Sequence, residues 1–153
     1  MKSAAVLACA TKVAMAATLR RGADIHGGAD TAIETVPWQV EFLKNGQFDC
    51  GGTLISPRYV VTAAHCTAGL TADKVGIRVG SATVGAGTKY NVEEIHQHPT
   101  YTGAATSYDY DIAILKIASD IALSEQVKVI GMVDTPPADG ATALISGWML
   151  QKM

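Results

Sequence analysis

The sequence has no excess of charge of either sign and no long apolar run. Its 12 Lys and Arg residues against 14 Asp and Glu residues leave a formal net charge of −2. Nucleic-acid-binding and anionic-membrane-binding surfaces need a basic excess, so the charge balance argues against both partners. No apolar run reaches the roughly 18 residues that a membrane span needs.

Charged and aromatic residues are also few, and this narrows the class of protein. Charged residues make up 17% and aromatic residues 6% of the 153 positions, whereas hydrophobic residues make up 48%. Such a composition can bury a core and excludes a disordered chain. The length suits one ordinary domain and is too short for two full ones. With 15 glycines, several β-branched runs and few long helical patterns, the sequence favours an all-β domain.

The N-terminal residues have the pattern of a targeting segment. An apolar stretch follows Met1-Lys2, and Ala14-Met15-Ala16 has the small-x-small pattern of a signal-peptidase site. Residues 1–16 therefore predict a signal peptide and secretion, and residues 17–24 predict a leader or propeptide. Because Lys12 interrupts the apolar stretch, a disordered start without a targeting role is the alternative.

Short β-type runs separated by turn residues follow this segment. Asn45-Gly46 is a hairpin signal, and Ser56-Pro57 marks a second turn. Alternation of residue types in Trp38-Gln39-Val40-Glu41-Phe42 predicts a strand with one buried face. Strands at this spacing suggest an antiparallel barrel or sandwich. The predicted strands cover residues 38–43, 51–55, 59–62, 75–79, 90–96, 112–117 and 141–145.

Three cysteines are present, and removal of the signal peptide would take Cys9 away. Cys50 and Cys66 then remain as an even pair. In an oxidising compartment this pair indicates one disulfide that closes a short loop. The alternative is two buried free thiols in a reducing compartment.

Two segments contain residue types that support acid–base chemistry. In the first, a β-type run ends in small residues and presents His65 beside Cys66. In the second, Asp111 opens an apolar run, where a charge is costly unless it is hydrogen-bonded. A buried Asp that accepts a hydrogen bond from a His would hold its tautomer and stabilise the imidazolium. Taken singly, each residue is ambiguous, since such a His is more often structural and such an Asp more often caps a turn.

Two further histidines suggest a metal site as another interpretation. His96 and His98 would share one face of a strand, and with His65 they suggest a three-histidine zinc site. The simpler interpretation is a strand end with ordinary polar side chains. We therefore predict no metal and no cofactor.

Five segments, taken in order along the chain, match one family pattern. They are Ile25-His26-Gly27-Gly28, Pro37-Trp38-Gln39-Val40, Cys50-Gly51-Gly52-Thr53-Leu54-Ile55-Ser56 with Val61-Thr62-Ala63-Ala64-His65-Cys66, Asp111-Ile112-Ala113-Ile114-Leu115-Lys116, and Ile145-Ser146-Gly147-Trp148. Together they resemble the chymotrypsin/trypsin-like serine proteases.

This resemblance implies a fold, an activity and a set of site residues. The fold is all-β, an antiparallel six-stranded Greek-key barrel of the trypsin-like type, with the first barrel complete and the second truncated within residues 25–153. The activity is hydrolysis of protein or peptide substrates. His65 is implied as the general base and Asp111 as its orienting carboxylate. Cys50 and Cys66 are implied as a disulfide, and Ile25 as the N-terminus that activation exposes.

The sequence also departs from the family pattern. The family's nucleophile lies in a Gly-Asp-Ser-Gly-Gly segment, and no Gly-x-Ser-Gly-Gly occurs in these 153 residues. Because nucleophile and oxyanion hole are both missing, we expect the chain as written to be inactive. Asp24 precedes Ile25, so a trypsin-type cut would not release that end. The alternative function is a non-catalytic protease-like module that binds a protein partner. In either case, we expect an exposed barrel face to favour self-association.

Overall fold

The structure of the protein is a computed structural model that describes residues 29–103 and 108–148. The predicted signal peptide (1–16), the predicted leader (17–24) and Ile25 lie outside the described residues. Within the described ranges, no helix is long and apolar enough to cross a membrane. In these two described ranges the strands are β1 (Gln39–Lys44), β2 (Gln47–Ser56), β3 (Tyr59–Thr62), β4 (Val75–Val79), β5 (Thr88–Gln97) and β6 (Ala113–Ile117). The same ranges contain an α-helix, α1 (Ala64–Thr67), and 3-10 turns at Ile33–Thr35 and Ala72–Lys74.

The six strands form a closed antiparallel barrel in the order β1-β2-β3-β6-β5-β4. Pairing of β4 with β1, in which Phe42 lies opposite Ile77, closes the sheet on itself. Closure leaves none of these strands with an open edge. The predicted all-β class and the six-stranded barrel implied by the resemblance are confirmed, and the sandwich alternative is wrong.

The hairpin between β1 and β2 forms where the sequence predicts it. Asn45 and Gly46 have φ values of +51° and +81°. Positive φ at both central residues is typical of the type I′ turn, whose twist matches that of the flanking strands. The Asn-Gly pair therefore sets the register of the first hairpin.

The core fills the inside of the barrel with aliphatic side chains and one phenylalanine. Each strand contributes alternate residues to it, as expected for a sheet with one face turned inward. The core residues in strands with no exposed surface are Val40, Phe42, Leu54, Val60, Ile77, Leu115 and Ile117, and β5 contributes Val92, which is 7% exposed.

Strand β1 is buried on both faces, which corrects the expectation of one buried face. On its outer face Gln39 is only 8% exposed and Glu41 only 2%. The Gly85 backbone N–H donates to Glu41 Oε1 at 2.7 Å, and Ser146 Oγ donates to Gln39 Oε1 at 2.7 Å. Two distant segments therefore cover polar residues that the alternation pattern assigns to solvent.

The strand predicted over residues 141–145 does not form. This segment has no regular secondary structure, and Leu144 and Ile145 are 70% and 82% exposed. A strand needs a neighbour to satisfy its backbone, and no strand in the described part of the chain pairs with this segment. The segment is instead anchored near its end, where Trp148 Nε1 donates to the Ala82 carbonyl at 2.8 Å.

Candidate active site

His65 lies in α1, a single helical turn that begins two residues after β3 ends. Ala63 precedes the helix in an extended conformation, and Ala64 is its first residue. Ala64 has no exposed surface, so a larger side chain there would have no space. The small residues before the histidine therefore allow the chain to turn directly out of the barrel wall.

Two residues that sequence reasoning missed hold this helical turn in place. Thr67 Oγ1 donates to the Ala64 carbonyl at 2.9 Å. Gln97, at the end of β5, donates from Nε2 to Thr67 Oγ1 at 2.8 Å and to the Ala64 carbonyl at 3.2 Å. In the sequence, the position of Thr67 directly after the His-Cys pair was the signal that could have drawn attention to it. No local pattern around Gln97 indicates its contact with Thr67.

Asp111 reaches His65 because their strands are neighbours. Strand β3 pairs with β6, and Thr62 at the end of β3 lies opposite Ala113 at the start of β6. Just before β6, Tyr110 has a φ of +60°, and the Ile112 N–H donates to the Tyr110 carbonyl at 2.7 Å. This tight turn directs Asp111 toward α1, although positive φ is unfavourable for an aromatic residue.

His65 and Asp111 are joined by two hydrogen bonds, one at the imidazole ring and one at the His65 backbone. His65 Nδ1 lies 2.7 Å from Asp111 Oδ2, and the His65 backbone N–H donates to Asp111 Oδ1 at 2.8 Å. An ionised carboxylate only accepts hydrogen bonds, so the proton is assigned to Nδ1 and the lone pair to Nε2. The His65 side chain is 48% exposed and that of Asp111 is 17% exposed. The pair thus presents a basic nitrogen on an oriented and accessible imidazole.

These contacts also set the ionisation of the carboxylate. The hydrogen bond from the His65 ring, followed by that from the His65 backbone N–H, holds the pKa of Asp111 below the ordinary aspartate value, and partial burial opposes them only in part. The folded protein therefore keeps Asp111 charged to a lower pH than the unfolded chain does.

A pH dependence of stability follows from this lowered pKa. The contribution of ionised Asp111 is fully present above the unfolded aspartate pKa, about 4, and is lost as the pH falls through the lower folded value. We expect the difference in unfolding free energy between the wild type and Asp111→Asn to shrink on acidification through this window, measured by urea unfolding. His65→Ala, which keeps the backbone N–H donor, should retain part of the effect. Parallel pH profiles for the wild type and Asp111→Asn would contradict the prediction.

A disulfide joins Cys50 in β2 to Cys66 in α1. Its Cα atoms are 6.3 Å apart, and 16 positions separate the two residues in sequence. The bond fastens the helix with His65 to the barrel wall. It confirms the implied pairing, and the alternative of two free thiols is wrong for this structure.

Comparison with known protein families decides which family this is. The sequence model of the Trypsin family matches residues 25–152. The chain belongs to the trypsin family. It is 38% identical to trypsin delta of Drosophila melanogaster over 125 residues, which cover 81% of this chain and 49% of that protein. It is 34% identical to hypodermin-A of Hypoderma lineatum, with 81% of this chain and 48% of that protein covered. The chain thus spans about half the length of the curated relatives it matches.

A solved structure supports the same family. The crystal structure of a scabies mite inactivated protease paralogue, S-D1, superposes on this trypsin-family barrel with a TM-score of 0.62 and 25% sequence identity. The match covers 68% of this chain and 44% of that one.

Three tyrosines lie in the segments next to the His–Asp pair of this trypsin-family chain, and one of them contacts the His65 ring. The Tyr108 ring meets the His65 ring edge-on at 6.2 Å, and the Tyr110 ring stacks on His98 at 4.7 Å. Burial, and then the negative charge of Asp111, raises the pKa of Tyr101.

The three-histidine zinc site is not formed. His96 Nε2 is bound to Glu94 at 2.9 Å, and His98 Nδ1 to Thr100 at 2.8 Å. In the described ranges, the one group of three potential metal ligands within mutual reach is Cys50, His65 and Cys66.

Proposed function

We propose that His65 and Asp111 are the general base and the orienting carboxylate of a serine endopeptidase. The observation that carries the proposal is the two-point hydrogen bond of His65 to Asp111, which fixes the imidazole with Nε2 as its acceptor. A general base needs this kind of placement because proton transfer requires hydrogen-bond geometry.

The chemistry assigned to this pair is proton transfer during peptide hydrolysis. His65 Nε2 would take the proton of a serine hydroxyl as that oxygen attacks the substrate carbonyl. It would then return the proton to the leaving amine. Asp111, held by the ring and the backbone of His65, would stabilise the imidazolium between these two steps. Protein or peptide chains are the proposed substrates, and no cofactor is required.

The nucleophile is not among these 153 residues, which contain no Gly-x-Ser-Gly-Gly segment. Three serines lie after Asp111, and the hydroxyl of one of them, Ser146, is bound to Gln39 on the outside of β1. We therefore propose that these residues alone do not hydrolyse peptides. A serine and an oxyanion hole from a second family half would complete the site.

A chimera tests this proposal. Residues 25–148 would replace the matching half of trypsin delta, joined within the Ser-Gly-Trp segment, and turnover of fluorogenic peptide amides would be measured. We expect no turnover by the 153-residue chain and measurable turnover by the chimera.

His65→Ala should lower the chimera's kcat by about 10²–10⁴-fold. His96→Ala, an exposed strand histidine bound to Glu94, serves as the matched control and should leave kcat unchanged. A folded chimera that is inactive, or one indifferent to His65→Ala, would overturn the assignment.

A non-catalytic binding module is the second candidate function. The specific observation in its favour is the superposition on an inactivated protease paralogue, since folds persist when their chemistry is lost. In the chimera experiment this candidate predicts a folded protein without turnover.

Self-association and secretion complete the proposal. We propose that exposed apolar residues such as Leu144, Ile145, Met132 and Val133, each at least 70% exposed, favour association between copies. A dilution-resistant monomer in size-exclusion chromatography would contradict this.

We further propose that residues 1–16 direct secretion, that 17–24 form a leader before a domain over 25–153, and that Ile25 becomes the mature N-terminus. The disulfide supports an oxidising destination.

A further inference from the structure

The three ligand-type side chains at the end of α1 form a cluster that the proposed mechanism uses only in part. Cys50 Sγ, Cys66 Sγ and a ring nitrogen of His65 all lie within 4.8 Å of one another. Cys66 Sγ is 3.4 Å from His65 Nε2, the same nitrogen that is assigned as the general base. A disulfide sulfur has no proton to donate, so this contact leaves the Nε2 lone pair available.

We propose that reduction of the Cys50–Cys66 disulfide converts this cluster into a zinc site formed by two thiolates and His65 Nε2. Zn²⁺ favours sulfur and nitrogen ligands in a tetrahedron, with metal–ligand distances of about 2.0–2.3 Å. Ligand atoms of such a tetrahedron lie about 3.4–3.8 Å apart. The 3.4 Å between Cys66 Sγ and His65 Nε2 already matches this spacing. Once the S–S bond is broken, side-chain rotation would separate the two sulfurs and place Cys50 Sγ, which lies within 4.8 Å of a His65 ring nitrogen, at a third corner.

The surroundings of His65 are those of a metal-bound histidine. Zinc-binding histidines usually donate their second ring N–H to a carboxylate, which fixes the ring and raises its basicity. Here Asp111 Oδ2 lies 2.7 Å from His65 Nδ1 and performs this role before any metal binds. Because the His65 side chain is 48% exposed, the site is open to an incoming ion and leaves the fourth position to water.

The conversion balances in atoms and electrons. A dithiol or phosphine reductant supplies two electrons, the S–S bond breaks, and each sulfur takes up one proton. Metal binding then displaces both thiol protons and forms two Zn–S bonds and one Zn–N bond. Two thiolates neutralise the 2+ charge of the ion, so the centre is electrically neutral. The ion would occupy the lone pair of Nε2, so zinc would compete with the proton that Nε2 is proposed to take from the serine hydroxyl.

The test uses the full chain carrying Cys9→Ser, because Cys9 lies outside the described residues and its thiol would compete for metal. Protein reduced by a phosphine, and the same protein left oxidised, would be titrated with Zn²⁺ against a chromophoric chelator. Co²⁺ would then be added to separate samples to detect thiolate-to-cobalt charge-transfer absorption. We expect one ion per reduced chain, none per oxidised chain, and the cobalt band only after reduction.

Variants assign the ligands. Cys66→Ser and His65→Ala should each weaken binding by more than about 100-fold, and Asp111→Asn by about 10–100-fold. His96→Ala is the matched control and should bind as the parent does.

Far-UV circular dichroism would be recorded on every reduced sample. Equal binding by the oxidised chain, full binding by Cys66→Ser, or a reduced parent that unfolds and takes up no metal would each overturn the proposal. Metal binding is read directly, so the result does not depend on protease activity.

Discussion

Removal of the disulfide by Cys66→Ala is expected to lower the unfolding free energy by about 3 kcal/mol. The bond closes a loop over 16 positions, and a crosslink of this span restricts the unfolded chain by about that amount. Cys66 is only 5% exposed, so alanine is preferred to serine because it leaves no hydroxyl at a buried position. Urea unfolding under oxidising conditions, with a metal chelator present, measures the change.

Two controls separate the crosslink from the loss of side-chain volume. The wild type treated with a phosphine should fall to nearly the same stability as Cys66→Ala. The same treatment of Cys66→Ala should change nothing further. An unchanged midpoint for Cys66→Ala under oxidising conditions would show that the disulfide does not stabilise this fold.

Truncation of the core phenylalanine, Phe42→Ala, is expected to cost about 3–5 kcal/mol. Phe42 lies in β1 with no exposed surface, and its strand neighbours on either side are Cys50 in β2 and Ile77 in β4. Alanine there removes a buried ring and leaves a cavity that a closed barrel can only partly fill. The loss is a large part of the 5–15 kcal/mol that typically separates a folded domain from its unfolded chain.

The second phenylalanine of the chain provides the matched control. Phe48 lies in β2, is half-buried, and meets the Trp148 ring edge-on at 6.0 Å. Phe48→Ala should therefore cost about 1 kcal/mol, the scale of one aromatic pair. Both values come from urea midpoints with unchanged slopes. Equal losses at the two positions would mean that Phe42 does not occupy a tightly packed core.

Much of the barrel could be predicted from local pattern. The strands at residues 59–62 and 75–79 have the predicted bounds, because turn residues bracket short β-branched runs there. The Asn45-Gly46 turn was predictable because few residues other than Asn and Gly adopt positive φ readily. The segment at 141–145 was predicted wrongly, since its apolar residues have strand propensity but no neighbouring strand among the described residues.

The candidate site was predictable in part. His65 and Asp111 are 46 positions apart, and only the five ordered segments together indicated that they act as a pair. Gln97 could not be found this way, because its contact with Thr67 depends on where β5 ends beside α1. The three-histidine zinc interpretation was wrong, because the fold brings His65 together with Cys50 and Cys66 and not with His96 and His98.

The sequence by itself indicated the six strands of the barrel, the first hairpin turn, the cysteine pair and the two candidate catalytic residues. The strands and the turn depend on residue type and on spacing over a few positions, whereas the pairing of His65 with Asp111 depended on five matching segments taken in order. Only the tertiary structure decided that β1 is covered on both faces, that the Tyr110 turn directs Asp111 onto His65, and that Cys66 lies against Nε2. The physical reason is that all three depend on contacts between segments far apart in the sequence. The non-sequential neighbours β3 and β6 bring distant segments together, and a one-dimensional pattern does not contain those distances.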